Sequence, residues 1–593
     1  MDGPANQYRR RLERHGAIAE ARKRRATAIA YAQVTFLLLG AATGTAILFV
    51  RSISAFWILP PIAGFLVLAV VHQRAKRRLL TSLRVIAFYE RGLARIENRW
   101  MGAGETGERF QDPSHPYSGD LDLFGEGSMF QLLCASRTSA GEEMLARWLL
   151  APALPEEVLA RHAAVAELTN RLDLREDLAV LGEEVRSSIY PDALATWAEM
   201  PPQLRSEFVR MVLPILAILW LASAVVWGVW DVRWPFVAAT VVNFLVQHRF
   251  RRRAADSLAS ITDASHDLNI LALLVARLER ESYSSPLLLK LRAGLGDNQL
   301  VVSSTIARLN RRVELLLWGE NVVVRILDWV LLWNLQCAFA IDAWRRQFGP
   351  FVREWLRAIG EVEALSDLAG YAYEHPADVF PEFTAESACF DAEGLAHPLI
   401  AEDRAVRNDL HLGDQLRLLI ISGPNMAGKS TLVRAAGINA VLAQCGAPVR
   451  ARRLRLSPLR VAASVVVLDS LQGGVSRFYS EILRLKQITD LAKGPIPVLF
   501  LLDEFLQGTN SHDRRTGAEA ILRSLFERGA IGLITTHDLA LTEIAAVLGP
   551  KAGNVHFEDR LEEGKLRFDH HLSPGVVQTS NALELMRSIG LEV

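Results

Sequence analysis

The sequence predicts an α-helical N-terminal part carrying two transmembrane helical hairpins, followed by an α/β domain built on a phosphate-binding loop. Three observations carry this. The segment Gly423-Pro-Asn-Met-Ala-Gly-Lys429-Ser430-Thr431 follows the run Leu416 to Ile421 and precedes Leu432-Val-Arg-Ala-Ala, in the order strand, glycine-bearing turn, helix start. Two later apolar runs, Pro497 to Leu502 and Ile531 to Ile534, read as buried parallel strands, and each ends on chemistry-bearing side chains. The hydrophobic excess of the chain, 50% of its residues with a positive mean hydropathy, is concentrated in 27–71 and 211–247.

At 593 residues the chain exceeds what one hydrophobic core holds, so several domains are expected. Residues 1–26 form a basic arm with Arg9, Arg10, Arg11, Arg14, Arg22, Lys23, Arg24 and Arg25. Thr27 to Val50 contains no charge and, at about 1.5 Å per residue, is long enough to cross a hydrocarbon core of about 30 Å. After a break at Arg51-Ser52, Ser54 to Val71 returns, with Pro60-Pro61 expected to kink it, and Arg74, Lys76, Arg77 and Arg78 follow. Basic residues on both flanks place both ends of this first hairpin, 27–78, on the cytoplasmic side of the inner membrane. The first run is too long for a signal peptide, and a second span follows it. Beside a bilayer, the basic arm is expected to meet anionic lipid before nucleic acid. A linker helix is expected over 79–116.

A second apolar pair, Met211 to Trp230 and Trp234 to Gln247, is separated by Asp231-Val-Arg233 and closed by His248-Arg-Phe-Arg251-Arg252-Arg253. Tryptophans 220, 227, 230 and 234 cluster toward the turn, as an interfacial belt does. Its second half falls short of the roughly 17 residues needed to span untilted and contains Asn243, so a buried soluble hairpin stays open as the alternative. The later run Val313 to Trp344 is rich in Leu, Val and Trp, but Glu320, Arg325, Asp328 and Asp342 interrupt it. Each charge costs about 2.5 to 3.5 kcal/mol at a bilayer centre, so this run is read as a helix packed on protein.

The C-terminal residues assemble the parts of an ATP site. Backbone N–H groups from Gly423, Pro424, Asn425, Met426, Ala427, Gly428, Lys429, Ser430 and Thr431, where present, can cradle phosphates at a helix N-terminus. Lys429 reaches the β and γ oxygens, and the Ser430 hydroxyl is a Mg²⁺ ligand. Asp503 can hold the Mg²⁺ shell, and Glu504 can orient or deprotonate an attacking water. His537, delivered by Thr535-Thr536-His537-Asp538 to the same sheet edge, is expected to sense the γ-phosphate. In Gly473-Gly474-Val475-Ser476-Arg477-Phe478-Tyr479-Ser480-Glu481, Ser476 reads as the N-cap of a helix with Ile482, Leu485, Ile488 and Leu491 on one face.

On Gly423 to Thr431, Ser476 to Glu481, Leu502-Asp-Glu-Phe-Leu-Gln-Gly508-Thr509-Asn-Ser-His-Asp513 and Thr535 to Asp538, the chain resembles the MutS mismatch-repair ATPases, a branch of the ABC-type ATPases. Upstream, Ser118 to Gly125, Arg147 to Pro152, Leu365 to Ala369, His397-Pro398 and Asn408-Asp409-Leu410 look like the family's core lever domain and the approach to its ATPase. Downstream, Phe568 to Gly575 and Ser580 to Leu591 look like its closing strand and helix. The resemblance implies a MutS-like helical core at 117–395, with the second hairpin inside it, and an ATPase domain at 396–593. It implies ATP and Mg²⁺ as cofactors, with Lys429, Glu504 and His537 catalytic and Ser430 and Asp503 at the metal. Asn408 and His570 would complete the nucleotide site, and Ser476 and Asn510 would act in trans across a homodimer. DNA, as in mismatch repair or recombination, would be the partner. The alternative is a membrane-associated mechanochemical or scaffold ATPase that never touches DNA.

The chain also departs from that family. Ala427 stands where most relatives have a second glycine, which is tolerable where the backbone needs no positive φ. The aromatic that stacks on adenine in many relatives would fall near Ala405, leaving His570 to contact the base. Phe88-Tyr89-Glu90 has the letters of the family's mismatch wedge, but no room for a recognition domain lies between Arg78 and Tyr117, so it reads as the amphipathic start of a helix. A polar DNA clamp is missing from the lever, where the second hairpin sits.

Composition adds mainly exclusions. Cys134, Cys337, Cys389 and Cys445 show no CxxC or zinc spacing. A net charge of zero gives no global argument for nucleic-acid binding. The basic run Arg450, Arg452, Arg453, Arg455 and Arg460 is expected to be a solvated loop and strand face.

Overall fold

The computed structural model describes residues 3–50, 54–182, 191–204, 206–258, 265–296, 301–318, 328, 331–385, 387–424, 426–465, 477–506, 511–562 and 565–577. Two compact units are formed, Met1–Trp100 with Leu172–Glu183, and Met101–Arg171 with Glu184–Val593.

In the first unit the helices Pro4–Phe49 and Leu59–Ile96 run antiparallel, joined through the 3-10 turn Ala55–Ile58. The basic arm is helical, continuous with the apolar run that follows it. Pro60 and Pro61 do not kink a span: they sit in the first turn of the second helix, where a missing N–H has no intrahelical partner to lose. Gly64 lets the two helices close, since a Cβ there would lie 2.3 Å from the Phe36 ring. Away from that seam the apolar side chains face outward, with Leu38, Leu48, Phe56 and Val67 all more than half exposed. The polar end is different. Tyr89 is fully buried, edge-on to Tyr8 at 5.5 Å; its hydroxyl accepts from Arg11 at 3.2 Å and donates to Glu176 on the helix Leu172–Gly182. Phe88-Tyr89-Glu90 thus belongs to a packed helix base.

The helical part of the second unit is organised by Trp333–Glu374, a 42-residue helix with one face almost wholly buried. Near its C-terminal end, Asp367 accepts from Ala135 N at 3.1 Å and Ser136 Oγ at 2.6 Å, and Glu363 accepts from Arg137 N and the Thr138 hydroxyl. These bonds fix the start of the helix Ser139–Leu150, which Thr138 caps. The expected single helix from Val313 to Trp344 is corrected. Val302–Trp318 carries the first part of the run, and Leu332, with φ 51°, leaves helical backbone directly before Trp333–Glu374. Glu320 and Arg325 lie outside the described residues. Buried Asp328 accepts from Asn334 N at 2.7 Å and Gln247 Nε2 at 3.2 Å, so its charge is answered by protein.

The helices Glu207–Trp230 and Trp234–Leu258 form a hairpin that turns at Asp231 with φ 54°. Its base packs on the long helix through Leu213, Leu216, Ala254, Leu335 and Phe339. Fully buried Asp342 accepts Leu204 N at 2.8 Å, the Ser257 hydroxyl and the Arg345 guanidinium at 2.7 Å. The distal half is exposed, with Ile218, Val225, Trp230, Trp234 and Leu245 all turned outward. Among the described residues three helices are long and apolar enough to cross a membrane: Pro4–Phe49, Phe56–Ile96 and Glu207–Trp230. Trp234–Leu258 is not among them, because Arg249 to Arg253 end its apolar stretch early.

Among the described residues ten strands make two sheets. The smaller contains β1 (Glu382–Phe383), β2 (Phe390–Leu395), β3 (Asn408–Leu412) and β5 (Arg453–Leu456), in the order β1-β5-β2-β3. The larger contains β4 (Leu418–Ser422), β6 (Arg460–Ser464), β7 (Val498–Leu502), β8 (Ile531–Thr536), β9 (Ala552–Glu562) and β10 (Lys565–Pro574), in the order β10-β9-β4-β8-β7-β6. All its pairings are parallel except β9 with β10. Every residue of β4, β7 and β8 is buried, which explains their uninterrupted apolar runs: a parallel strand covered on both faces has no polar side to show. Phe500, Leu502, Leu522 and Ile534 centre that core.

The basic run at 450–460 is not uniformly solvated. Arg450 is buried; its guanidinium pairs with Asp378 at 3.0 Å and donates to Ile400 O at 3.1 Å. Arg453, half-exposed, follows the expectation and pairs with Glu382 at 3.3 Å.

Candidate functional site

Because β8 lies between β4 and β7, the carboxyl ends of these three strands are neighbours, and each delivers one part of the site. Register puts Leu502 beside Ile534, and Ser422 beside Thr536. After β4 the chain turns through Gly423 with φ 144° and Gly428 with φ 109° into the helix Lys429–Cys445. Glycine is required at Gly423 twice over, since a Cβ would also lie 2.8 Å from Phe557 O. Met426 adopts φ 70° and is 86% exposed, whereas buried Ala427 is not among the positive-φ positions, so its methyl group is accommodated. Asn425 lies outside the described residues.

Lys429 is buried, and its ammonium donates to Gly423 O at 2.7 Å and Pro424 O at 2.8 Å, spanning the mouth of the turn. Burial draws its pKa down, with Glu504 and Asp503 opposing. Asp503 and Glu504 follow β7. Thr535, one strand over, joins them: its hydroxyl donates to Asp503 Oδ1 and accepts from Glu504 N at 2.9 Å. Glu504 and Leu506 both hold positive φ, 49° and 57°. That unfavourable backbone is pinned from outside, by the Glu481 carboxylate on Leu506 N at 2.6 Å and by Arg514 Nε on Leu506 O at 2.9 Å. His537 Nδ1 lies 3.9 Å from Glu504 Oε1. The structure therefore brings together Lys429, Asp503, Glu504 and His537.

A cavity of about 280 Å³ opens beside this edge. One end is lined by Met426, Gly428, Lys429, Ser430, Thr431 and Glu504. The other is aliphatic, with Leu395, Ile400, Ala405, Val406, Leu432 and Ala435. Asn408 and His570, both expected at a nucleotide site, line it as well. Asn408 spends its amide on the backbone of β10, donating to His570 O at 3.0 Å and accepting from Leu572 N at 2.8 Å, which makes it a positioning residue. His570, with φ 55°, sits over the phosphate loop; a carbonyl can only accept, so its Nδ1 donates to Ala427 O at 2.9 Å. His397 also lines the cavity, and burial, with Arg434 and Arg450 nearby, pushes it down to about 4, so it is neutral near pH 7.

The donor set fits Mg²⁺. A carboxylate and a hydroxyl are hard oxygen ligands, and this ion is normally held by one or two carboxylates plus substrate phosphates, not by an all-protein cage. No cluster of three or more His, Cys, Asp or Glu is present among the described residues. Ser476 and Asn510 lie outside the described residues; the helix Arg477–Leu491 has Leu485 and Ile488 buried and Ile482 at its exposed margin.

Residues 419–592 match the family model for MutS domain V. The MutS-like region is similar to the DNA mismatch repair protein MutS of Natronomonas pharaonis, 34% identical over 244 residues, which is 40% of this chain and 28% of that protein. The MutS of Geobacillus kaustophilus is 31% identical over 252 residues, 42% of this chain and 28% of that protein. The endonuclease MutS2 of Thermus thermophilus is 36% identical over 196 residues, 33% of this chain and 25% of that protein. The chain thus spans only about a quarter of the length of these curated relatives. These likenesses support a MutS-family C-terminal region.

Sequence reasoning missed three participants. Thr535 was part of a motif without a role, and its bridge exists only because β7 and β8 are neighbours. Arg514, which holds the strained turn, reads as an ordinary helix charge. Arg404, on the cavity wall, carries no motif at all.

Proposed function

We propose that this protein is a membrane-anchored MutS-like ATPase that hydrolyses ATP to ADP and phosphate at a composite dimer interface, coupled to DNA binding as the names of its relatives indicate. One observation carries the ATPase reading: a buried lysine in a phosphate loop, an Asp-Glu pair and a histidine meet at the carboxyl ends of three adjacent parallel strands. Phosphates lie against the N–H groups of Gly428 to Thr431 at the start of the Lys429–Cys445 helix. Lys429 exchanges the carbonyls of Gly423 and Pro424 for phosphate oxygens. Ser430 and Asp503 would hold Mg²⁺, which when bound neutralises phosphate charge. Glu504 accepts the proton of the attacking water, and His537 steadies the γ-phosphate from the neighbouring strand end.

Ser476 and Asn510 of a second copy would close the site, so ATP acts as a clasp between two subunits and hydrolysis reopens it. Ser476→Arg should then leave ATP binding intact while abolishing the ATP-induced dimer in size-exclusion runs. The first unit would anchor the protein in the inner membrane through its helix pair, with the ATPase facing the cytosol.

A second reading is favoured by the exposed apolar end of the hairpin formed by Glu207–Trp230 and Trp234–Leu258, whose outward Trp230 and Trp234 suit lipid better than a phosphate backbone. In that reading the clasp moves a membrane element and DNA is never bound. ATPase assays of the full chain in lipid nanodiscs separate the two. Stimulation by homoduplex, mismatched or branched DNA that fades with salt supports the DNA-coupled machine. Unchanged basal turnover with every DNA supports the membrane machine. A Lys429→Ala protein that binds ATP normally would remove both.

A further inference from the structure

We infer that Arg404 stacks its guanidinium on the base of the bound nucleotide and so selects a nucleoside triphosphate over a bare polyphosphate. This rests on the nucleotide reading of the cavity. With phosphates at the Gly428 to Thr431 end, the base must lie toward Leu395, Ile400, Ala405 and Val406. That end has aliphatic walls, and the one ring beside them among the described residues, His397, is buried with its Nδ1 accepting from Leu399 N at 3.3 Å. Phe557 belongs to the phosphate end, with its carbonyl 2.8 Å from where a Gly423 Cβ would stand, and the His570 ring is held over Ala427. Aliphatic groups can sandwich a base, but they offer no planar, electron-poor partner for its π-face.

Arg404 supplies one. The turn that carries it is fixed by backbone bonds from Arg404 N and Ala405 N to Ala401 O, each 3.0 Å. Two other arginines nearby are already engaged. Arg407 donates to Gly394 O at 3.1 Å and Glu402 at 2.6 Å, and Arg450 is tied to Asp378 and Ile400 O. No hydrogen bond or ion pair joins the Arg404 guanidinium to another described residue, and the side chain is exposed at the cavity wall. A planar guanidinium is the side-chain cation suited to lie flat on a purine. Its charge alone would serve a phosphate equally well, and the test turns on that difference.

The experiment is equilibrium binding of Mg-ATP and of Mg-tripolyphosphate to the full-length protein and to Arg404→Ala, Arg404→Lys and Arg404→Tyr. Stacking predicts that Ala and Lys weaken ATP by about 3- to 30-fold, that Tyr stays within about 3-fold of the parent, and that tripolyphosphate binding is unchanged by all three. Equal loss of ATP and tripolyphosphate, full function of the Lys protein, or unaltered ATP binding by the Ala protein would overturn the inference while leaving the ATP site standing. A parent protein that binds neither ligand would remove the nucleotide site and this inference with it. Arg404 is exposed and makes no side-chain bond to a described residue, so its replacement has no packed core to disrupt.

Discussion

His537 Nδ1 stands 3.9 Å from Glu504 Oε1, a contact made across two adjacent strand ends separated by 33 positions in the chain. Glu504 lines the cavity together with Lys429, and Thr535 holds the Glu504 backbone. If Glu504 takes the proton of the attacking water, the histidine's role is to hold the γ-phosphate and that water in line. His537→Ala should therefore lower the turnover number by about 10- to 1,000-fold while leaving ATP affinity within about 3-fold. Parallel loss of affinity and turnover would make it a binding residue instead.

The Asp378–Arg450 pair is almost wholly buried and joins the end of the long helix to the smaller sheet. Removing one member strands the other charge. Arg450→Ala should destabilise the folded protein by about 3 to 5 kcal/mol, read as a lower denaturant midpoint. Arg452→Ala, on an exposed side chain of the same run, should leave the midpoint where it is.

His397 makes stability depend on pH in a direction that can be worked out. Its pKa in the fold is about 4, against about 6.5 in the unfolded chain, so between these values the unfolded chain binds more protons. Stability from this group is complete above about pH 6.5 and is lost as pH falls toward 4, by roughly 3 kcal/mol at most. His397→Gln should flatten the fall of the denaturation midpoint over that window. An unchanged slope would mean that the proton is taken up elsewhere.

The helix Pro4–Phe49 presents an uncharged stretch from Thr27 of about 34 Å, on which Leu37, Leu38 and Leu48 are more than half exposed. Membranes washed in alkaline carbonate should retain the full chain, and detergent should release it. Recovery in the carbonate supernatant would contradict the anchor.

How far the sequence could be read depended on how far each interaction reached. β4, β7 and β8 were legible because strands covered on both faces are apolar throughout, and the turn from Gly423 to Lys429 because its glycines and the following helix start are contiguous. Asn408 was recognised as part of the site, but its actual work, bonding the backbone at His570 and Leu572, joins strands about 160 residues apart and leaves no local signal. Arg450 looked solvated because a run of arginines usually is; its carboxylate partner lies 72 residues away. The break at Leu332 was hidden by apolar residues on both sides, since hydrophobicity marks burial without marking where a helix is interrupted. Within the apolar pair at 211–247, read as a membrane hairpin with a buried soluble hairpin left open, Leu213 and Leu216 pack on protein.

The central claim is that Glu504 at the end of β7 drives ATP hydrolysis, and single-turnover hydrolysis by Glu504→Gln tests it most directly. The account predicts ATP binding equal to the parent protein and a chemical step slower by about 10² to 10⁴. Hydrolysis at the parent rate would contradict it.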